Sequence, residues 1–138
     1  MIAPRKISRF YASPLGRVAA DAYRRGKLNR ETPFLNRLSL TEYRKIRETG
    51  RYDKVEEDGE WMILQGITDA YAETEDGIIL WDYKTDSVHG EKGKTELIER
   101  YGIQLQLYAE ALSAALGKPV AEAYIYSFAL DQTIRLPI

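Results

Sequence analysis

Cysteine is absent from this 138-residue chain. That excludes disulfides, iron–sulfur clusters and zinc sites held by thiolates, and thiol catalysis. Long apolar runs are absent too: nothing approaches the roughly 18 to 20 residues of a membrane span, so no membrane partner is expected. The opening stretch, Met1-Ile2-Ala3-Pro4-Arg5-Lys6, lacks the apolar segment of a secretory signal, and a cytoplasmic location is expected. There is no basic excess. The net charge is −1, whereas a free-standing nucleic-acid binder usually carries a clear positive surplus. Tight DNA affinity from this chain alone is not expected; a local basic patch, or a neighbouring domain that delivers the DNA, is compatible with it. The Gly-rich phosphate loop ending in Gly-Lys-Ser/Thr is missing as well, so the chain alone should not hydrolyse ATP.

What is present is ordinary for a globular domain: 44% hydrophobic and 30% charged residues, in a length that suits one core and not two. Residues 1–12 read as a lead-in. Ser13-Pro14 is an N-cap followed by proline at the first helical position, and Leu15, Val18, Ala19, Ala22 and Tyr23 continue at helical spacing, predicting a helix over 14–25. Residues 31–37 read as a short strand that Pro33 assigns to a sheet edge. Ser39 and Glu42 form a capping pair for a small surface helix over 39–48, and 49–60 reads as a loop. Trp61–Tyr71 reads as a strand, with Gly66 marking a bulge or a close backbone approach. A turn at 75–77 leads into a second, more apolar strand over 78–84. After a polar loop at 85–93 comes a long helix over 94–116, whose buried stripe is Leu97, Tyr101, Leu105, Tyr108, Leu112 and Ala115. Gly117 and Pro119 end it. Strands over 120–130 and 133–136 complete the chain.

Chemistry concentrates at two strand ends. Asp69 and Asp82 lie on strands joined by a short turn, so antiparallel pairing brings both carboxylates to one patch. Lys84, two residues from Asp82, points to the same face. Hard divalent cations take one or two carboxylates with water or phosphate completing the shell, and the Tyr83 carbonyl offers a further oxygen. A metal so held activates water and polarises a phosphate, with lysine to stabilise the charge. The same aspartates read equally as strand-end turn markers with Lys84 at the surface. The apolar run at 78–81 tips the balance, because charge at the end of a buried strand is costly unless paired or metal-bound. On the long helix Arg100, Gln104 and Tyr108 share a line and suit a phosphate backbone, or else Tyr108 is core and the other two are solvated. Glu31 adds a carboxylate if its strand lies beside the site. His89, the single histidine, reads as a solvated loop residue. Lys92, Lys94 and Arg100 read as a local basic rim or an ordinary solvated face.

Taken in order, Arg30-Glu31-Thr32-Pro33-Phe34, Gly66-Ile67-Thr68-Asp69, Asp82-Tyr83-Lys84-Thr85-Asp86 and Arg100-Tyr101 through Gln104 to Tyr108 resemble the C-terminal nuclease domain of AddA and RecB, the helicase–nuclease subunits that process double-strand breaks in bacteria. The resemblance spans nearly the whole chain. It implies the PD-(D/E)XK nuclease fold, an α/β architecture with a central mixed sheet flanked by helices. It implies Mg²⁺ (or Mn²⁺) held by Asp69, Asp82 and the Tyr83 carbonyl, Lys84 as the catalytic lysine, Gln104 and Tyr108 as the helix motif beside the site, and Glu31 as a further acidic member. The expected substrate is DNA, delivered as single strands by a helicase domain of the same parent chain within a complex that includes a partner subunit. The family's metal-binding histidine has no match here, so the chain is expected to be a piece of the nuclease domain or a shortened relative. Two other readings stay open: a nuclease-like module that binds DNA or a partner subunit without catalysis, and a standalone exonuclease or restriction-type enzyme.

Overall fold

The computed structural model describes residues 2–49 and 59–138. Most of the loop expected over 49–60 therefore lies outside the described residues. Helices α1 (Pro4–Ala12) and α2 (Pro14–Arg24) are followed by strand β1 (Leu28–Ser39), helix α3 (Leu40–Thr49), strands β2 (Trp61–Thr74) and β3 (Gly77–Lys84), helix α4 (Gly90–Leu116), and strands β4 (Val120–Ser127) and β5 (Gln132–Leu136). The strands form one mixed sheet in the order β1-β2-β3-β4-β5. All neighbours are antiparallel except β3 and β4, which are parallel. Parallel neighbours need a crossover, and α4 is that crossover.

β3 is the centre of the sheet and is covered on both sides, which explains its nearly unbroken apolar run. Ile78 and Leu80 face α4 and pack with Leu97, Leu105, Leu112 and Ile125. Ile79 and Trp81 face the other way, toward Phe10, Leu15, Ala19 and Ala22 of α1 and α2. The strand thus delivers Asp82 and Lys84 to the α4 face and Tyr83 to the α1 face. A two-residue turn joins β2 to β3, with Thr74 opposite Gly77. Gly77 has φ 124°, and a Cβ there would lie 2.7 Å from the Pro119 carbonyl oxygen, so only glycine suits the position.

The helix boundaries follow local chemistry. Ser13 accepts a hydrogen bond from the Gly16 N–H and caps α2. Ser39 and Glu42 form a reciprocal capping box for α3: Glu42 N–H donates to Ser39 Oγ, and Ser39 N–H to the Glu42 carboxylate. Gly117 ends α4 in the left-handed conformation at φ 67°.

Five expectations need correction. β2 runs on to Thr74, three residues past the expected end, because 71–74 pair with β3, so Asp69 lies inside the strand and not at its end. Residues 4–12 form a helix rather than a lead-in, started by Pro4 in the first turn and anchored by buried Phe10. β1 begins three residues earlier than expected, because its polar start at 28–30 pairs through the backbone with 70–72 of β2. α4 begins at Gly90, with His89 as its cap position. β4 ends at Ser127, and a turn occupies the residues that follow. Pro33 does lie on an edge strand, as read.

Candidate active site

The β2–β3 hairpin supplies the acidic pair. Ala70 stands opposite Trp81, and one step further along the same register Asp69 and Asp82 meet. Asp82 is buried, with only 6% of its surface exposed. Burial pushes its carboxyl up from the ordinary 3.8 to about 6, and the Asp69 carboxylate, within hydrogen-bonding reach, adds to the rise. Lys84 opposes it from 2.8 Å, Nζ to Oδ2. Lys84 itself is half-buried. Its burial favours the neutral amine, but contact with Asp82 outweighs that and holds the ammonium above its usual range. Asp69 Oδ2 accepts a hydrogen bond from the Tyr83 N–H at 2.9 Å. That bond fixes the Asp69 side chain against the strand end and ties the two strands where they part.

α4 closes the site from above. Gln104 Nε2 donates to Tyr108 Oη at 2.9 Å. The hydroxyl group of Tyr108 is raised above its ordinary range by burial and by the nearby charge of Asp82. Gln104 Oε1 is buried and has no hydrogen-bond partner among the described residues, an orphan that a buried amide ordinarily avoids. The ring of Tyr108 packs edge-on to Phe34 of β1, centroids 4.7 Å apart. Gly66 makes this closeness possible. A Cβ there would lie 2.9 Å from Phe34 Cζ and 3.2 Å from Tyr108 Oη. Of the two meanings its place in the strand offered, close approach is the one realised; the β1–β2 register runs through Gly66 without interruption.

Two site residues escaped sequence reading. Lys84 Nζ sits 4.0 Å from the centre of the Tyr101 ring, a cation–π contact. Tyr101 Oη donates to Asp86 Oδ2 at 2.7 Å, and Arg100 Nη1 reaches the same oxygen at 3.1 Å. Tyr101 counted as part of the buried stripe and Asp86 as loop, and both stood in the family motif without a role of their own. Only the contact across the 85–93 segment shows them as supports for Lys84. Arg100, expected at a basic rim, is engaged with Asp86 and Glu96.

Glu31 lies opposite the site in an unusual way. Its φ is 47°, in the left-handed region, and it and Asp69 drop out of the register between the Arg30–Ala70 and Thr32–Thr68 pairs. The ladder resumes on either side in the same register. Glu31 is exposed and lines a hollow of about 460 Å³ with Asp69, Tyr83 and Arg30. A second hollow, of about 520 Å³, lies on the other side, lined by Gln104, Tyr108, Arg47 and Arg100. Asp69 lines the first, and the Gln104–Tyr108 pair lines the second. Among the described residues no three His, Cys, Asp or Glu side chains gather closely enough to cage a cation, so Glu31 does not complete a three-carboxylate set. His89 is exposed and caps nothing through its side chain.

A buried aspartate facing a second carboxylate, with a charged lysine beside it on a mixed sheet, is an arrangement suited to a phosphodiester. Comparison with known proteins agrees. A family model described as the PD-(D/E)XK nuclease superfamily matches residues 5–134. The chain is 39% identical over 132 residues to an ATP-dependent helicase/nuclease subunit of Clostridium perfringens, covering 95% of this chain and 10% of that protein. It is 38% identical over 155 residues to the protein of the same name from Lachnoclostridium phytofermentans, covering 95% and 11%, and 38% over 137 residues to that of Clostridium botulinum, covering 99% and 10%. The chain therefore spans about a tenth of the length of the curated relatives it matches. The sheet order, the paired carboxylates and these likenesses converge on one assignment: the chain belongs to the PD-(D/E)XK nuclease superfamily.

Proposed function

We propose that the 138 residues act as the nuclease domain of a helicase–nuclease polypeptide and hydrolyse phosphodiester bonds of DNA during double-strand break processing. The observation that carries the reading is the contact of Asp69, Asp82 and Lys84 on one hairpin beneath Gln104 and Tyr108. The names of the relatives support a helicase in the same polypeptide, which feeds single strands to the site, and a further subunit in the complex. A cytoplasmic setting accords with that work; no described helix is long and apolar enough to cross a membrane.

The donor set fits a hard cation such as Mg²⁺, with Mn²⁺ as substitute: two adjoining carboxylates and the Tyr83 carbonyl, leaving places for water and phosphate oxygen. Burial first, and then the Asp69 carboxylate, raises the Asp82 carboxyl, a cost that a cation held between the two would offset. Asp69, Asp82 and Tyr83 would hold the ion, which when bound supplies an activated water and a polarised phosphate. The chain's own side chains do the rest. Lys84 stays charged at neutral pH, so its part is electrostatic: it stabilises the extra negative charge on the phosphate as water attacks and the P–O bond breaks. Asp82 and the Tyr101 ring aim its ammonium. Gln104 and Tyr108 orient the strand or the attacking water, and the orphaned Gln104 amide oxygen is free to accept a hydrogen bond there. Glu31 stands at the rim as a supporting carboxylate.

The test is cleavage of labelled single-stranded DNA with Mg²⁺ or Mn²⁺ against EDTA, beside Asp82→Ala and Lys84→Ala. Metal-dependent cutting should fall by about a hundredfold or more in each variant, with circular dichroism showing intact folds. Cutting that persists in both variants at the wild-type rate overturns the assignment.

A further inference from the structure

The hollow beneath α1 has no role in the chemistry above, yet Asp69 forms part of its floor. We propose that it is a nucleobase subsite, seating the base next to the bond that is cut, with Tyr11 as its stacking surface and Arg30 as its phosphate contact. This rests on the reading of the chain as a DNA nuclease.

The walls are aromatic and held in place. Phe10 meets Tyr83 and Tyr11 edge-on, each with centroids 5.2 Å apart, and Tyr83 lies 5.7 Å from Phe128. Phe10 and Phe128 are buried and act as backing. Tyr11 is different: 48% of it is exposed, on a helix whose neighbouring Phe10 is anchored in the core. A half-exposed aromatic ring on a rigid support, beside a cavity, is how proteins bind single strands without reading sequence, since every base has a π-face. The opening, about 460 Å³, falls in the range of small-ligand sites.

The polar groups favour a nucleotide over an apolar segment. Arg30, Glu31 and Asp69 all line the hollow, and an apolar filler would take the water from Arg30 and Glu31 without offering them partners. Arg30 is exposed and makes no ion pair among the described residues. Its guanidinium is thus available at the rim of the hollow that Asp69 also lines. The backbone agrees with this. Glu31 holds a left-handed conformation that costs a non-glycine residue free energy, and it does so at the one position of the ladder left unpaired, in the wall of the hollow. Strain of this kind persists where a site requires it. Asp69 belongs to both the hollow and the acid pair, so a base seated here adjoins the site and sets the register of the strand relative to the cut.

The experiment measures binding of a short oligodeoxythymidylate and of an all-abasic strand of equal length, by fluorescence anisotropy in EDTA, to the wild type, Tyr11→Ala and Tyr11→Phe. Stacking on one ring should make the wild type bind the normal strand about tenfold more tightly than the abasic one. Tyr11→Ala should lose most of that preference, and Tyr11→Phe should keep it. Equal loss for normal and abasic strands in Tyr11→Ala, or no loss, overturns the subsite. A hollow filled instead by another segment of the polypeptide would show as a lowered melting temperature in Tyr11→Ala with unchanged DNA binding, which also overturns it. If the base preference appears but metal-dependent cutting does not, Tyr11 is a base-stacking surface, and its place beside a cut bond falls with the nuclease reading.

Discussion

Replacing Asp69 by asparagine should make the protein more stable at neutral pH while destroying its proposed activity. Asp82 titrates near 6 instead of the ordinary 3.8, so between those values the folded chain binds more protons than the unfolded one. Stability must then fall as pH rises through that window, and the loss is complete above about 6. The gap corresponds to about 3 kcal/mol. Burial is its first cause and survives the substitution. The Asp69 carboxylate is the second, and its removal should recover about 1 kcal/mol. The asparagine side chain can still accept the Tyr83 N–H, and its amide can donate to Asp82. For a chain of this size the gain is a rise of about 3–5 °C in melting temperature at pH 7.5 in EDTA. It should shrink toward zero below pH 4, where Asp82 is protonated in any case. Mg²⁺ should raise the melting temperature of the wild type more than that of the variant, because bound cation stabilises only a fold that holds it. Thermal melts at several pH values, with and without Mg²⁺, decide the matter. A variant less stable than the wild type at pH 7.5 in EDTA would refute the claim that the two carboxylates oppose each other.

Two further substitutions probe the supports of the site. Gly66→Ala brings a methyl to 2.9 Å from Phe34 and 3.2 Å from the Tyr108 hydroxyl; urea unfolding should show a loss of about 1–3 kcal/mol, and an unchanged midpoint would mean the ring pair moves freely. Tyr101→Leu removes the ring under the Lys84 ammonium and should lower turnover about tenfold, in line with a partly desolvated cation–π contact. Tyr101→Phe, which keeps the ring and loses only the bond to Asp86, should lose less. Equal rates for all three proteins would remove Tyr101 from any part in aiming Lys84.

The parts of this architecture legible in the sequence are those with one dominant local cause. The apolar run before Asp82 exists because β3 is buried on both faces, and so the run located both the central strand and its charged end. Ser13-Pro14, Ser39 with Glu42, and Gly117 marked helix ends because each satisfies or terminates a backbone ladder by itself. α1 was missed because its helical signal is thin: Ile7, Phe10 and Tyr11 share a side, but six of its nine residues are otherwise polar, small or proline. Its stability comes from Phe10 meeting Tyr83 and Tyr126, residues far away in the chain. The start of β1 was missed because Leu28-Asn29-Arg30 carries no alternation and owes its extension to β2. The left-handed Glu31 has no local marker either; glycine or asparagine would have signalled it. The Lys84–Tyr101–Asp86 chain depends on where α4 lands after a polar loop, which spacing along the chain does not fix.

The whole acid–lysine group sits on two strands joined by a turn of two residues. Such a hairpin closes on a scale of microseconds once its strands meet, whereas the parallel pairing of β3 with β4 must wait for the crossover, whose longer loop costs more entropy to close. The repelling carboxylates are thus brought together early in folding, before Gln104, Tyr108 or the Tyr101 ring arrive. If Asp69 and Asp82 hold a cation as proposed, metal in the refolding buffer should speed the appearance of the hairpin rather than only stabilise the finished fold.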